Sequence, residues 1–228
     1  MYKEARYLIA GDKGLLVEYG DKIDPEINAK VRAISLSIEK ADIDGVEEVI
    51  PTYRSILITY NPTKISFKDL KENIKNMEKN LSKIELPAPR TIEIPVVYGG
   101  EYGPDIEFVA KHNGLTVEEV IDIHSKGKYL IYMIGFTPGF PFLGGLSEKL
   151  FTPRLETPRV KVPAGSVGIA NNQTGIYPID SPGGWRIIGR TPIKLYDPSK
   201  DPPVILSPGD FIRFVPIDEE EYKKMLKN

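Results

Sequence analysis

GFTPGFPFLGGLSEKLFTPRLETPRVKVPAGSVGIANNQTGIYPIDSPGGWRIIGR, residues 135–190, is the stretch whose reading decides the fold. Ten of the chain's 20 glycines and seven of its 20 prolines fall within it. Glycine opens backbone angles closed to other residues, whereas proline fixes φ and removes a donor. That density excludes long helices and implies short strands joined by tight, specified turns. Six Lys or Arg stand against three acids in the window, so it is cationic inside a chain of net charge −2. Trp185 and four of the nine arginines lie here. The residues admit two readings, a rigid binding floor or the corners of a β-barrel.

Outside this window the totals restrict function. At 228 residues the chain can bury a proper core in one large or two modest domains. A net charge of −2 argues against a dedicated nucleic-acid binder. The charged start, MYKEARYLIAGDKG, lacks the apolar centre of a secretory signal, and no apolar run is long enough to span a bilayer. A cytoplasmic protein with no membrane or nucleic-acid partner is therefore expected. The absence of Cys excludes disulfides and thiolate chemistry, and with only His112 and His124 no metal site is expected.

Towards the N-terminus, residues Tyr7 to Tyr19 alternate around Gly11-Asp12-Lys13-Gly14, the pattern of two strands and a turn. Asp24-Pro25 supplies an N-cap and a first-turn proline for a helix to about Ala41. Val46 to Ile50 and Ser55 to Tyr60 read as strands. Ser66 and Asp69 then open a helix whose apolar stripe is Leu70, Ile74, Met77, Leu81 and Ile84. Lys68, Lys71, Lys75 and Lys79 line its other side, either as a solvated face or as a contact for an acidic partner. Two strand–helix–strand passes predict an α+β domain over residues 1–88, bounded by Pro87-Ala-Pro89. Residues 89–228 form the second domain. There, Thr91 to Tyr98 reads as a strand, Asp105 to Lys111 as a helix stopped by Asn113-Gly114, and Thr116 with Glu119 as a capping box. Tyr129 to Gly135, Ile193 to Tyr196 and Phe211 to Val215 read as strands, and a short charged helix begins at Glu219.

Several residues have chemical potential. No P-loop, dinucleotide-binding fingerprint, nucleophile elbow or H-E-x-x-H motif is present. Ser166, in Pro-Ala-Gly-Ser-Val-Gly, lies either in an anion nest or at a barrel corner. His124 continues the apolar helix face of Val117, Val120 and Ile121, as a core histidine or as a general base. Arg154, Arg159, Arg186 and Arg190 carry guanidinium forks suited to phosphate or carboxylate, and the repeated Thr-Pro-Arg at 152–154 and 157–159 presents two of them from stiff backbone. Asn171, Asn172, Gln173 and Thr174 form a polar tract, and Asp180 with Ser181 sits beside a chain reversal.

These blocks together resemble the family of 5-oxoprolinase B subunits, also called allophanate hydrolase subunit 1 or KipI-like proteins, which is related to the carboxyltransferase domain of urea carboxylase. The resemblance rests on YMIGFTPGFPFLGG at 132–145, the two Thr-Pro-Arg units, VPAGSVG at 162–168, QTGIY at 173–177, and SPGGW at 181–185 through GRTP at 189–192. It implies a mainly-β, cyclophilin-like barrel in the second domain. It also implies homologues of the C and A subunits of 5-oxoprolinase as partners, and an ATP-dependent opening of 5-oxo-L-proline to L-glutamate. ATP would be bound jointly with a partner, and any biotin would arrive on another protein, because this chain has no Met-Lys attachment context. The catalytic residues expected on this basis are His124 and Asp180. Arg154, Arg159, Arg190, Ser166, Gln173, Thr174 and Ser181 are the expected contacts to substrate or phosphate. The resemblance leaves two other roles open. One is a KipI-like inhibitor of histidine-kinase autophosphorylation, docking through an exposed barrel residue such as Phe140. The other is half of a biotin-dependent carboxyltransferase.

Overall fold

Strict alternation builds the first sheet: in Ser55–Tyr60 every second residue, Ile56, Ile58 and Tyr60, is buried. The computed structural model describes residues 1–80 and 86–227, and its Cα trace divides into two compact units, Met1–Ala88 and Pro89–Asn228. The first unit runs β1 (Arg6–Ile9), β2 (Gly14–Glu18), α1 (Pro25–Ala41), β3 (Val46–Pro51), β4 (Ser55–Tyr60) and α2 (Phe67–Lys79). Its strands pair antiparallel in the order β1-β2-β4-β3. The Asp24 carboxylate accepts from the amides of Glu26 and Ile27, and the Ser66 hydroxyl accepts from the amide of Asp69, so both helices start at their capping residues. Ile27, Val31, Ile34 and Ile38 of α1 and Leu70 and Ile74 of α2 meet Leu15, Val17, Ile56 and Ile58 in one core. Met77 packs against that core. Leu81 and Ile84, read from the sequence as part of the same stripe, lie outside the described residues.

The second unit contains a closed seven-stranded barrel. Its strands are β5 (Thr91–Tyr98), β6 (Tyr129–Ile134), β7 (Pro141–Gly144), β9 (Ser166–Ala170), β10 (Gln173–Ile176), β12 (Arg186–Arg190) and β13 (Phe211–Pro216). Around the barrel they run β10-β7-β6-β13-β5-β12-β9. Only β5 and β13 pair parallel, from Thr91↔Phe211 to Val96↔Pro216; the other neighbours are antiparallel. A separate pair, β8 (Arg159–Val162) and β11 (Ser181–Gly183), is interleaved with these strands in sequence. The glycine- and proline-rich stretch thus yields six strands of three to five residues, β7 to β12. Val96, Ile131, Val167, Ile169, Ile188 and Phe214 share the main core of this unit. Helices α3 (Ile106–Asn113) and α4 (Val117–Lys126) sit between β5 and β6 in the chain, and α5 (Glu219–Met225) follows the barrel. The Thr116–Glu119 capping box forms reciprocally, as expected.

One expected strand does not form. Ile193–Tyr196 makes a single bridge, Tyr196 to Val204, and no ladder. Pro192 offers no amide, the Ile193 amide donates to the Thr191 hydroxyl at 3.2 Å, and Leu195 is drawn into the core. The segment obeys burial instead of pairing.

Candidate functional site

A groove of about 500 Å³ opens on the second unit between the β6–β7 turn, the segment after Thr152 and the end of β11. Its walls are aromatic. Phe140, 2 % exposed, meets Phe136, Phe142, Tyr177 and Trp185 edge-on at ring-centroid distances of 5.1 to 5.6 Å. Such edge-to-face contacts stiffen a cluster beyond its area burial. Gly175 lies against it: a Cβ there would approach the Trp185 ring to 3.0 Å and the Phe140 ring to 3.2 Å. At Gly183 a Cβ would come within 2.3 Å of the Tyr177 hydroxyl. A side chain at either position would fill or reshape the groove.

The turn Gly135–Phe140 closes on itself, with Thr137 N donating to Gly135 O and Gly135 N to Phe140 O. Within it Phe136 adopts φ 66°, a left-handed conformation costly for a non-glycine residue. The residue is 70 % exposed. Phe140, expected from the sequence to be an exposed docking residue, is instead the buried centre of the cluster, and Phe136 is the exposed phenylalanine of this turn.

Arg154 is placed by a neighbouring bridge. Thr152 and Asn171 exchange both backbone hydrogen bonds, at 3.1 and 2.7 Å, two residues before Arg154. The Thr152 hydroxyl is further held by Leu150 O and Asn113. Asn171 itself takes φ 53° in the β9–β10 turn. Arg154 lines the groove, is exposed, and makes no hydrogen bond or ion pair among the described residues. Asn171 and Gln173 line the same groove. An unpaired guanidinium fork, two amides and an aromatic wall can take a small molecule with a carboxylate, an apolar ring and an amide edge.

Other expected site residues fall elsewhere. Arg159 donates to both carboxylate oxygens of Asp105 at 2.9 Å and to Trp185 O at 3.3 Å. Asp105 is buried and also accepts from Ile187 N at 2.7 Å, so the pair bolts the start of α3 to β12. Arg159 is therefore committed to a structural ion pair and is removed from the groove. Arg186 donates to Pro153 O and lies 3.7 Å over the Phe108 ring.

Ser166, Ser181, Arg190 and Asp180 belong to a second corner. Arg190 pairs across from Ser166 on β12 and β9. The turn preceding β9 is tied to both flanks, through Gly165 N to Tyr177 O and Thr191 N to Gly165 O. Ser166 Oγ, Ser181 Oγ and Arg190 Nε are buried and lack hydrogen-bond partners among the described residues. Asp180 accepts from Ala164 N at 2.8 Å and pairs with Lys161 at 2.7 Å. Lys161, then the Ala164 amide, holds its carboxyl below the ordinary carboxylate range. Exposed and already paired, Asp180 staples the turn; as an acid–base group it would be a poor proton donor and a weak base.

His124 is fully buried inside the second unit. Its ring stacks on Phe214 at 4.5 Å. Thr174 Oγ1 donates to Gly168 O at 3.0 Å, so it must accept from His124 Nε2–H at 2.9 Å. That leaves Nδ1 as the acceptor of the Tyr98 hydroxyl at 2.8 Å. The ring is thus a single neutral tautomer with both nitrogens engaged, and burial lowers its pKa to about 3. The expected proton-transfer role does not suit a ring so enclosed and so fully bonded. Thr174, expected as a substrate contact, is the other half of the same buried chain.

The aromatic walls were the part of the groove that the residues did not advertise. The available signal was Phe136, Phe140 and Phe142 set around two prolines and a glycine, with the only Trp downstream.

Comparison with known proteins bears on this arrangement. Residues 5–206 match the family model described as carboxyltransferase domain, subdomain C and D. The chain is 44 % identical over 222 residues to a 5-oxoprolinase B subunit of Bacillus subtilis, covering 93 % of this chain and 92 % of that one. It is 42 % identical to a 5-oxoprolinase B subunit of Escherichia coli O157:H7, covering 95 % and 98 %. Among solved structures, a conserved uncharacterized protein from Pyrococcus horikoshii is similar at 50 % identity and a TM-score of 0.57, over 95 % of this chain and all of that one. The Kluyveromyces lactis urea amidolyase shares the fold, with a TM-score of 0.79 at 24 % identity, over 98 % of this chain and 15 % of that one.

Proposed function

Because the chain belongs to the carboxyltransferase domain, subdomain C and D family, we propose that it is a non-autonomous subunit of an ATP-dependent 5-oxoprolinase, with the aromatic groove as its 5-oxo-L-proline contact. The unpaired Arg154 at the groove carries this reading. Its fork meets the substrate carboxylate, the aromatic cluster covers the apolar face of the ring, and Asn171 and Gln173 meet the lactam edge. The similarity to two proteins named as B subunits of 5-oxoprolinase supports it.

The lactam carbon is a poor electrophile. Transfer of a phosphoryl group from ATP to the lactam oxygen, releasing ADP, makes the carbon electrophilic; water adds to it, collapse expels the protonated ring nitrogen as the amine to leave an acyl phosphate, and a second water hydrolyses that to L-glutamate and inorganic phosphate. This chain contributes binding and orientation. Its Ser166 and Ser181 hydroxyls and the Arg190 guanidinium, whose Oγ and Nε atoms have no partner among the described residues, fit the needs of a phosphate, shared with a companion homologue of the C or A subunit. The barrel is taken as cyclophilin-like and the protein as cytoplasmic.

Reconstitution decides the matter. The purified chain should show little activity, and adding the companion subunits should give ATP hydrolysis that depends on 5-oxo-L-proline and yields glutamate. A reconstituted complex that released neither phosphate nor glutamate would end this reading. The 70 % exposed, left-handed Phe136 favours one alternative, a docking module of the KipI type. That alternative predicts inhibition of kinase autophosphorylation by the chain, relieved by Phe136→Ala.

A further inference from the structure

Three non-glycine residues among the described ones have positive φ: Asp42 at 44°, Asn171 at 53° and Phe136 at 66°. Aspartate and asparagine tolerate that region through their short polar side chains; phenylalanine does not. Thr137 N donates to Gly135 O at 2.8 Å, so Phe136 sits at the centre of a three-residue γ-turn of the strained hand. The turn that follows is relaxed. Pro138 and Gly139, the latter at φ 82°, form its middle, and Phe140 N donates to Thr137 O at 3.0 Å. Gly135 N to Phe140 O, at 3.1 Å, ties the two ends together. These hydrogen bonds hold position 136 in a conformation its side chain disfavours. Thr137 Oγ1, buried without a partner among the described residues, is a second cost in the same turn.

The fold gains little from this phenylalanine in return. Its ring is 70 % exposed and meets the aromatic cluster edge-on, 5.6 Å from Phe140. Glycine would take the same backbone without strain. What the ring does is line the groove, along with Arg154, Asn171 and Gln173. A ring held out at a groove by pinned backbone needs little further ordering when a ligand arrives. That preorganisation accounts for the strain and the exposure together.

We propose that Phe136 is the specificity-determining residue of the groove, selecting a compact cyclic amide acid over its open-chain equivalent. The inference rests on the reading of the groove as the 5-oxo-L-proline contact. With the ligand carboxylate on Arg154, the methylene edge of its ring is left to an apolar partner, and Phe136 offers an exposed aromatic surface for it. An open chain with the same groups spreads past that surface and gives up the contact.

The test is equilibrium titration of the full chain, read by the fluorescence of Trp185, the chain's single Trp and a groove-lining residue. The probes are 5-oxo-L-proline and N-acetyl-L-alanine, which carries the same amide and carboxylate on the same heavy atoms but lacks the bond that closes the ring. Wild type should respond saturably to 5-oxo-L-proline and bind it about tenfold tighter than N-acetyl-L-alanine, the scale of one apolar contact in a pocket. Phe136→Gly should bind 5-oxo-L-proline about tenfold more weakly and lose the preference, whereas Phe136→Tyr should keep both. In urea, Phe136→Gly should unfold at the wild-type midpoint or above it, because glycine is at ease at positive φ. A lower midpoint would make the ring a packing residue, and an unchanged preference in Phe136→Gly would leave it to protein docking; either result overturns the proposal. A wild type without a saturable response, or without the preference, overturns it as well. Turnover by the reconstituted complex tests the 5-oxoprolinase reading separately, so loss of this role for Phe136 leaves that reading standing.

Discussion

Two regions of the second unit put polar side chains to opposite ends. In the barrel interior, Tyr98, His124, Thr174 and Gly168 O form a chain in which the hydroxyls and both ring nitrogens are engaged. At the groove, Arg154 stands exposed beside an aromatic wall with its donors unused. A buried network that is fully satisfied specifies a core and resists change. A charged group held on pinned backbone but left unpaired is available to a ligand. What separates the two regions is residual hydrogen-bonding capacity, which residue type does not reveal.

The largest test of that contrast is pH. His124 has a folded pKa of about 3 against 6.5 unperturbed. Between those values the unfolded chain binds a proton that the folded chain refuses, so stability falls as pH drops through this window, by on the order of 5 kcal/mol in total. The range from pH 6.5 to 5 isolates the effect, since carboxylates titrate lower. Urea unfolding midpoints across this range should decline in the wild type and flatten in His124→Gln; parallel slopes would show that the ring is not buried neutral.

Breaking the ion pair that holds Arg159 comes next. Asp105→Ala should lower unfolding free energy by about 3 kcal/mol, because a partly buried guanidinium loses its partner and Ile187 N its acceptor. Arg159→Lys should retain only part of the arrangement, since one ammonium cannot reach both Asp105 and Trp185 O as the two guanidinium nitrogens do.

At the groove the expected pattern reverses. Arg154→Ala should leave the melting curve unchanged within about 0.5 kcal/mol while raising KM for 5-oxo-L-proline in the reconstituted complex by about tenfold to a hundredfold. An unchanged KM would remove Arg154 from the substrate. The smallest effect belongs to Asp180→Asn: the pair with Lys161 is exposed, and its loss should cost about half a kcal/mol or less. A collapse of turnover in that variant would restore Asp180 to the chemistry.

Much of the fold was legible because its signals are local. Asp24-Pro25, Ser66 with Asp69, and Thr116 with Glu119 start their helices where capping chemistry requires. Ser55–Tyr60 alternates because one face is buried. Ile193–Tyr196 has the look of a strand, but pairing needs a neighbour with free donors and acceptors, and the missing amide of Pro192 and the pull of Leu195 into the core prevent it.

The sequence by itself determined where helices begin, that residues 135–190 would break into short strands and turns, and which family the chain resembles. Those depend on backbone angles, capping groups and residue order, all of which act over a few positions. Tertiary structure alone decided what each polar residue does. It sealed His124 and Thr174 in the core, gave Arg159 to Asp105, and buried Phe140 while exposing Phe136. Partners and solvent access depend on residues distant in the chain, so the same arginine or histidine serves as a structural strut or a binding group according to what the fold brings against it.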